Sequence, residues 1–100
     1  MNKSEWEKIC REEMIKATDL TSYVYFVRWR DRIKIGHSIN VYKRYRELQT
    51  SSPVDLKYIG SMPGGPLVEK IIHFHFVRLC YKTEWFRSSP ELKQFIEENI

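Results

Sequence analysis

Glu69 and His73 stand four residues apart, downstream of a stretch that carries Lys34, Lys43, Arg44 and Arg46. Four residues of helix turn about 400°, so a helix through this segment puts the carboxylate and the imidazole on one face, one turn apart. A carboxylate is a hard oxygen donor suited to Mg2+ or Mn2+, and Mg2+ is commonly held by one or two carboxylates with water and phosphate completing its shell. Histidine, titrating near pH 6.5, can give or take a proton. The planar arginine fork can hold two phosphate oxygens at once. Plainer readings exist for each: a glutamate near a helix start is stabilised by the macrodipole, and histidine most often serves as a hydrogen-bonded structural residue.

The charge pattern points to a polyanion as partner. The chain carries a net +4, and between Arg28 and Arg46 the cations Arg28, Arg30, Arg32, Lys34, Lys43, Arg44 and Arg46 face Asp31 alone, a local +6 that leaves the remainder at −2. A run of charge is often only a solvated face. Here it alternates with Trp29, Tyr42 and Tyr45, which suits a nucleic-acid backbone, with Arg28, Arg30, Arg32, Lys43 and Arg46 as contacts.

Those residues need elements to position them. Tyr23 to Val27 is dense in aromatic and β-branched residues and reads as a strand buried on both faces, Arg30-Asp31-Arg32 turns the chain, and Ile33 to Gly36 returns beside it. Gly36 marks a sharp turn or a close approach. Ser38 or Asn40 then caps a helix whose Val41, Tyr45 and Leu48 form an apolar stripe, and Thr50-Ser51-Ser52-Pro53 ends it. Asp55 to Met62 reads as a third strand and Pro63-Gly64-Gly65-Pro66 as a turn. Leu67 to Leu79 is expected to be helical, with Val68, Ile71, Ile72, Phe76 and Leu79 inward. Thr83 to Phe86 is an edge strand or an extended loop, and Ser89-Pro90 opens a last helix. Near the start, Ser4 and Glu7 fit a capping box for a helix over 5–17.

The order implies an α+β domain: a small, mainly antiparallel sheet of three strands, or four with the Thr83 segment, flanked by helices. At 100 residues the chain is sized for one domain, divided into an N-terminal helix and linker over 1–20 and the main unit over 21–100. Neither a signal-peptide pattern nor a run of eighteen apolar residues occurs, so the expectation is a cytoplasmic protein with no membrane contact. Cys10 and Cys80 form no C-x-x-C pair and suggest neither zinc nor redox chemistry.

Tyr23-Val24-Tyr25, then Lys34-Ile35-Gly36 nine residues after Tyr25, then Arg44 eight residues after Gly36, resembles the signature of the GIY-YIG nuclease superfamily. Glu69 with His73, followed by Glu84-Trp85-Phe86, resembles its compact phage and bacterial branch. The resemblance implies hydrolysis of phosphodiester bonds with Mg2+ or Mn2+. It would make Glu69 the metal ligand, Tyr25 the group that positions or deprotonates water, Lys34 and Arg44 phosphate contacts, and His73 a proton carrier, with Tyr23 and His37 as accessories. Two residues depart from it: Lys34 stands where many members have a second tyrosine, and Leu48 where some have a histidine. Trp85 and Phe86 read as packing that anchors the helix of Glu69, and the position of Glu84 is left open. Tyr25, Lys34, Arg44, Glu69 and His73 are expected to line one pocket, with Tyr25 and Glu69 on the same face of the sheet; opposite faces would count against the nuclease reading.

The leading reading is a metal-dependent endonuclease or nickase acting on DNA. The alternatives are an inactive nucleic-acid-binding module on the same fold, and a protein-interaction domain; a homodimer through the N-terminal helix is a further expectation.

Overall fold

The computed structural model describes residues 22–100; the expected helix over 5–17, its capping box and Cys10 lie outside them. Strand β1 (Tyr23–Trp29) pairs antiparallel with β2 (Arg32–Ser38), from Tyr23 opposite Ser38 to Trp29 opposite Arg32. The turn is only Arg30-Asp31, tighter than the three residues expected, and Arg30 takes φ 55° to make it. The Arg30 carbonyl accepts a 2.6 Å bond from Arg28 Nε.

Helix α1 (Val41–Ser51) follows, capped by the Asn40 side chain, which accepts from the Lys43 amide at 3.0 Å. Strand β3 (Lys57–Pro63) pairs with the other side of β1, and Pro66 opens helix α2 (Pro66–His75). That helix is shorter than expected, because the chain tightens into a 3-10 turn at Val77–Leu79. Two short strands come next, β4 (Cys80–Lys82) and β5 (Trp85–Arg87), and then helix α3 (Pro90–Asn99), capped by Ser89 accepting from the Leu92 amide at 3.1 Å.

The sheet has five antiparallel strands in the order β3-β1-β2-β5-β4, more than the three or four expected. The α+β class holds. The extra strand, β4, is a three-residue fully exposed edge with no apolar alternation, so nothing in its sequence distinguishes it from a loop. β5 is not an edge: it lies between β2 and β4.

Side-chain alternation divides the sheet into two unequal faces. Val24, Phe26, Ile33 and Ile35 point to one side and pack with Val68, Ile72 and Phe76 below α2 and with Leu92, Phe95 and Ile96 of α3. Tyr25 and Val27 point to the other and meet Leu56, with Val41, Tyr45 and Leu48 of α1 packed against them. The α1 stripe is thus as expected, although no residue of α1 is fully buried. The loop after α1 is held by polar contacts: Gln49 donates to the Val54 carbonyl at 2.9 Å and accepts from the Leu56 amide at 2.7 Å, and Tyr45 donates to the Leu56 carbonyl at 2.7 Å. Among the described residues no helix is long and apolar enough to cross a membrane.

Candidate functional site

The ladder between β2 and β5 runs only from Arg32 to Lys34, so the far half of β2 has a free outer edge. Two groups satisfy the backbone of Ile35 there: its amide donates to the Glu84 carbonyl at 3.0 Å, and its carbonyl accepts from His73 Nε2 at 2.8 Å. A carbonyl can only accept, so Nε2 must carry the proton, and His73 takes the place of the missing strand neighbour. The ring is held at 4.9 Å from that of buried Phe86, so Phe86 anchors α2 as expected, whereas Trp85 packs on the opposite, α1, face.

Around this edge the ionisable groups gather. Glu69, 7% exposed, has Oε2 on His37 Nδ1 and Oε1 at 3.4 Å from His73 Nε2. Lys34, 8% exposed, donates to Glu84 Oε2 at 2.6 Å. Burial pushes the Glu84 carboxyl upward, but the hydrogen bond and charge of Lys34, helped by His73 and by hydrogen bonding with Glu69, hold it below the ordinary value. Sequence reasoning left Glu84 unplaced; its only signal was adjacency to the Trp-Phe pair that β5 buries.

Tyr25 is 2% exposed and belongs to the α1 face. Its hydroxyl lies over Gly36, where a Cβ would come within 2.4 Å, so the glycine answers to a close approach rather than to a turn, and it sits inside β2 instead of ending it. Arg44 reaches this hydroxyl from α1: hydrogen bonding with Tyr25 raises the guanidinium pKa, opposed by slight burial, and Glu47 adds a 3.4 Å ion pair.

Tyr25 and Glu69 thus do not rise from one face as expected. Tyr25, Lys34 and Arg44 belong to the α1 side, whereas Glu69 and His73 come from α2 on the other layer. The groups are nevertheless joined around the free end of β2. Lys34 bonds Glu84, while Gly36, beneath the Tyr25 hydroxyl, is followed by His37, which holds Glu69.

The expected backbone contacts are more dispersed. Arg28 lies beside Lys57 and Lys93 towards α3, Arg30 and Arg32 flank Trp29, and Lys43 and Arg46 line the outer side of α1 with Tyr42. Tyr23 is half exposed, and none of its side-chain contacts ties it to the cluster. Leu48 packs against Tyr25 and Val27, so the residue that departs from the nuclease pattern is a core residue here.

Among the described residues no group of three or more His, Cys, Asp and Glu side chains is arranged to enclose a metal ion. The two carboxylates at this edge already have neighbours: Glu69 has His37 and His73 beside it, and Glu84 is bonded to Lys34.

The T5orf172 domain family matches residues 20–99, and the chain belongs to that family. No curated protein and no solved structure matches it. The GIY-YIG assignment drawn from the short motifs is corrected by this match, since the family found is a different one. Packing explains why those motifs misled: Gly36 is required by the Tyr25 ring, Val24-Tyr25 by a strand covered on both sides, and Trp85-Phe86 by the two cores.

Proposed function

We propose that this T5orf172-domain protein binds DNA and hydrolyses its phosphodiester bonds at the free end of β2. The observation that carries the reading is the cluster of ionisable side chains at this edge: buried Glu69 on His37 and 3.4 Å from His73, and buried Lys34 bonded to Glu84 at 2.6 Å. Glu69 and Glu84 would hold Mg2+ or Mn2+, which when bound supplies charge stabilisation on phosphate and a more acidic water.

The chain's own residues do the rest. The exposed Arg44 fork, paired with Glu47 at 3.4 Å, takes non-bridging phosphate oxygens. Tyr25, held over Gly36, orients the attacking water. His37 donates through Nδ1 to Glu69, and a neutral imidazole that does so presents Nε2 as an acceptor, so the half-exposed His37 is the proton-taking candidate. His73, whose Nε2 proton is spent on Ile35, acts as a positioning residue for Glu69.

A second reading, a nucleic-acid-binding module without turnover, is favoured by the separation of Tyr25 and Glu69 onto two layers and by the hold of His37 on Glu69. One experiment separates the two. Nicking of supercoiled plasmid in Mn2+ or Mg2+ is expected for the wild type and should fall in Glu69→Gln by about a hundredfold or more, the scale of losing a group that stabilises transition-state charge. Binding to the same DNA in chelator should be unchanged. Undiminished nicking by Glu69→Gln removes Glu69 from the chemistry, and a wild type that binds without cutting establishes the second reading.

A further inference from the structure

On the α1 side, a groove of about 380 Å3 lies beyond Lys34, walled by Trp29, Arg32, Val54, Leu56, Tyr81 and Trp85, with Lys82 at its rim. The groove adjoins the proposed site through β2: Trp85 pairs with Lys34 in register, and Lys34 Nζ is 5.8 Å from the Trp85 ring. The Arg32 guanidinium lies 3.6 Å from the centre of the Tyr81 ring and 5.8 Å from that of Trp29, while Arg30 lies 5.2 Å from Trp29. Tyr81 is 52% exposed although its strand has only three residues.

Two occupants suit a groove with aromatic walls: an apolar side chain of another protein, or a nucleobase. Charge decides between them. Arg32 and Lys82 edge a groove whose lining surface is almost wholly apolar, Arg30 stands beside it, and among the described residues no acidic side chain lines it. An apolar peptide anchor makes no use of these cations, whereas a nucleotide presents a flat π-face and a phosphate together. The Arg32–Tyr81 stack already shows a planar cation settled on the ring, the geometry that an added base would extend.

We infer that this groove is a stacking subsite for one unpaired nucleobase, so that the preferred substrate is single-stranded or locally opened nucleic acid, with the neighbouring phosphate led towards Lys34. The inference rests on the proposed nucleic-acid reading and extends it to substrate class. In a duplex the bases are stacked on one another and unavailable to Trp29, Tyr81 and Trp85; a single strand offers them without the cost of unpairing.

The test is fluorescence anisotropy with the full chain in chelator, using a short labelled oligothymidylate and a blunt duplex of the same length. Tyr81→Ala should weaken single-strand binding roughly tenfold, the scale of one lost base–aromatic stack, and leave duplex binding within about twofold. Tyr81→Phe should keep the wild-type preference. Arg32→Lys, which keeps the charge but loses the flat stack, provides a second variant should Tyr81→Ala fold poorly, and should also lose single-strand affinity selectively. Equal losses on both ligands, or no loss on either, overturn the base subsite; in the second case the groove is left to an apolar protein segment. A wild type that binds neither ligand overturns the nucleic-acid reading itself. Selective stacking without metal-dependent cutting keeps the subsite and sinks only the hydrolysis.

Discussion

The two faces of the sheet are built for different work. Beneath α2 and α3, twelve buried residues form a continuous apolar core, with Phe26, Phe76 and Phe95 in edge-to-face contact. Beneath α1 the buried apolar residues, among those described, are Tyr25, Val27 and Leu56, and the remaining contacts come from half-buried side chains and from hydrogen bonds that hold the loop. The thick face carries stability and presents Glu69 at its rim. The thin face carries Arg44, Lys34 and the aromatic groove. Recognition can therefore vary on one side while the other keeps the chain folded.

The largest expected effect tests that division of labour. Phe76→Ala on the thick face should cost about 3–5 kcal/mol, as expected for a fully buried aromatic. Leu48→Ala on the thin face, where the side chain is only half buried, should cost less, about 1–2 kcal/mol. Denaturant unfolding of both variants gives the difference, and equal losses would break the comparison.

Gly36→Ala comes next, because it strikes where the faces meet. A Cβ 2.4 Å from the Tyr25 hydroxyl forces the buried ring to move, at about 1–3 kcal/mol, and should detach it from Arg44. Cleavage should fall further than the stability loss explains, measured as activity at a temperature where the variant remains folded.

The smallest effect sharpens the boundary between the faces. Glu84 titrates below its ordinary value of 4.5, chiefly through Lys34 working against the upward push of burial. A carboxyl whose folded pKa is depressed adds stability that is present above its unfolded pKa and lost as pH falls through the folded one. Melting temperatures of wild type and Lys34→Met should therefore differ at neutral pH and converge once the pH falls below the depressed folded pKa of Glu84. With Glu84 43% exposed, the gap should be small, and a gap that persisted in acid would show that Lys34 matters for packing rather than for its charge.

Much of this was legible in the sequence, for identifiable reasons. Stripes of period 3.6 and two-faced strands follow from burial, so α1, the buried start of β1 and the inward residues of α2 could be read from Val41, Tyr45 and Leu48, from Val24 to Val27, and from Val68 and Ile72. The α2 end could not, because Phe76 and Leu79 keep their inward spacing through the change to a 3-10 turn. Glu69, His73, Lys34 and Arg44 were singled out by type and spacing. Their separation onto two layers was invisible, since it depends on which side of the sheet each helix takes. The role of Glu84 was hidden for a related reason: its partner Lys34 is fifty residues away, and only strand pairing brings them together. The family was misjudged because short motifs there record packing needs that unrelated sheets can share.

The central claim is that groups from both layers converge on one divalent-ion and phosphate site at the free end of β2. Paramagnetic broadening by substoichiometric Mn2+ in an amide NMR spectrum tests it most directly, without relying on turnover. The account predicts loss of signal centred on His37, Glu69 and Glu84 and reaching Gly36 and Lys34, abolished by Glu69→Gln. Broadening centred elsewhere, or unchanged in Glu69→Gln, would contradict it.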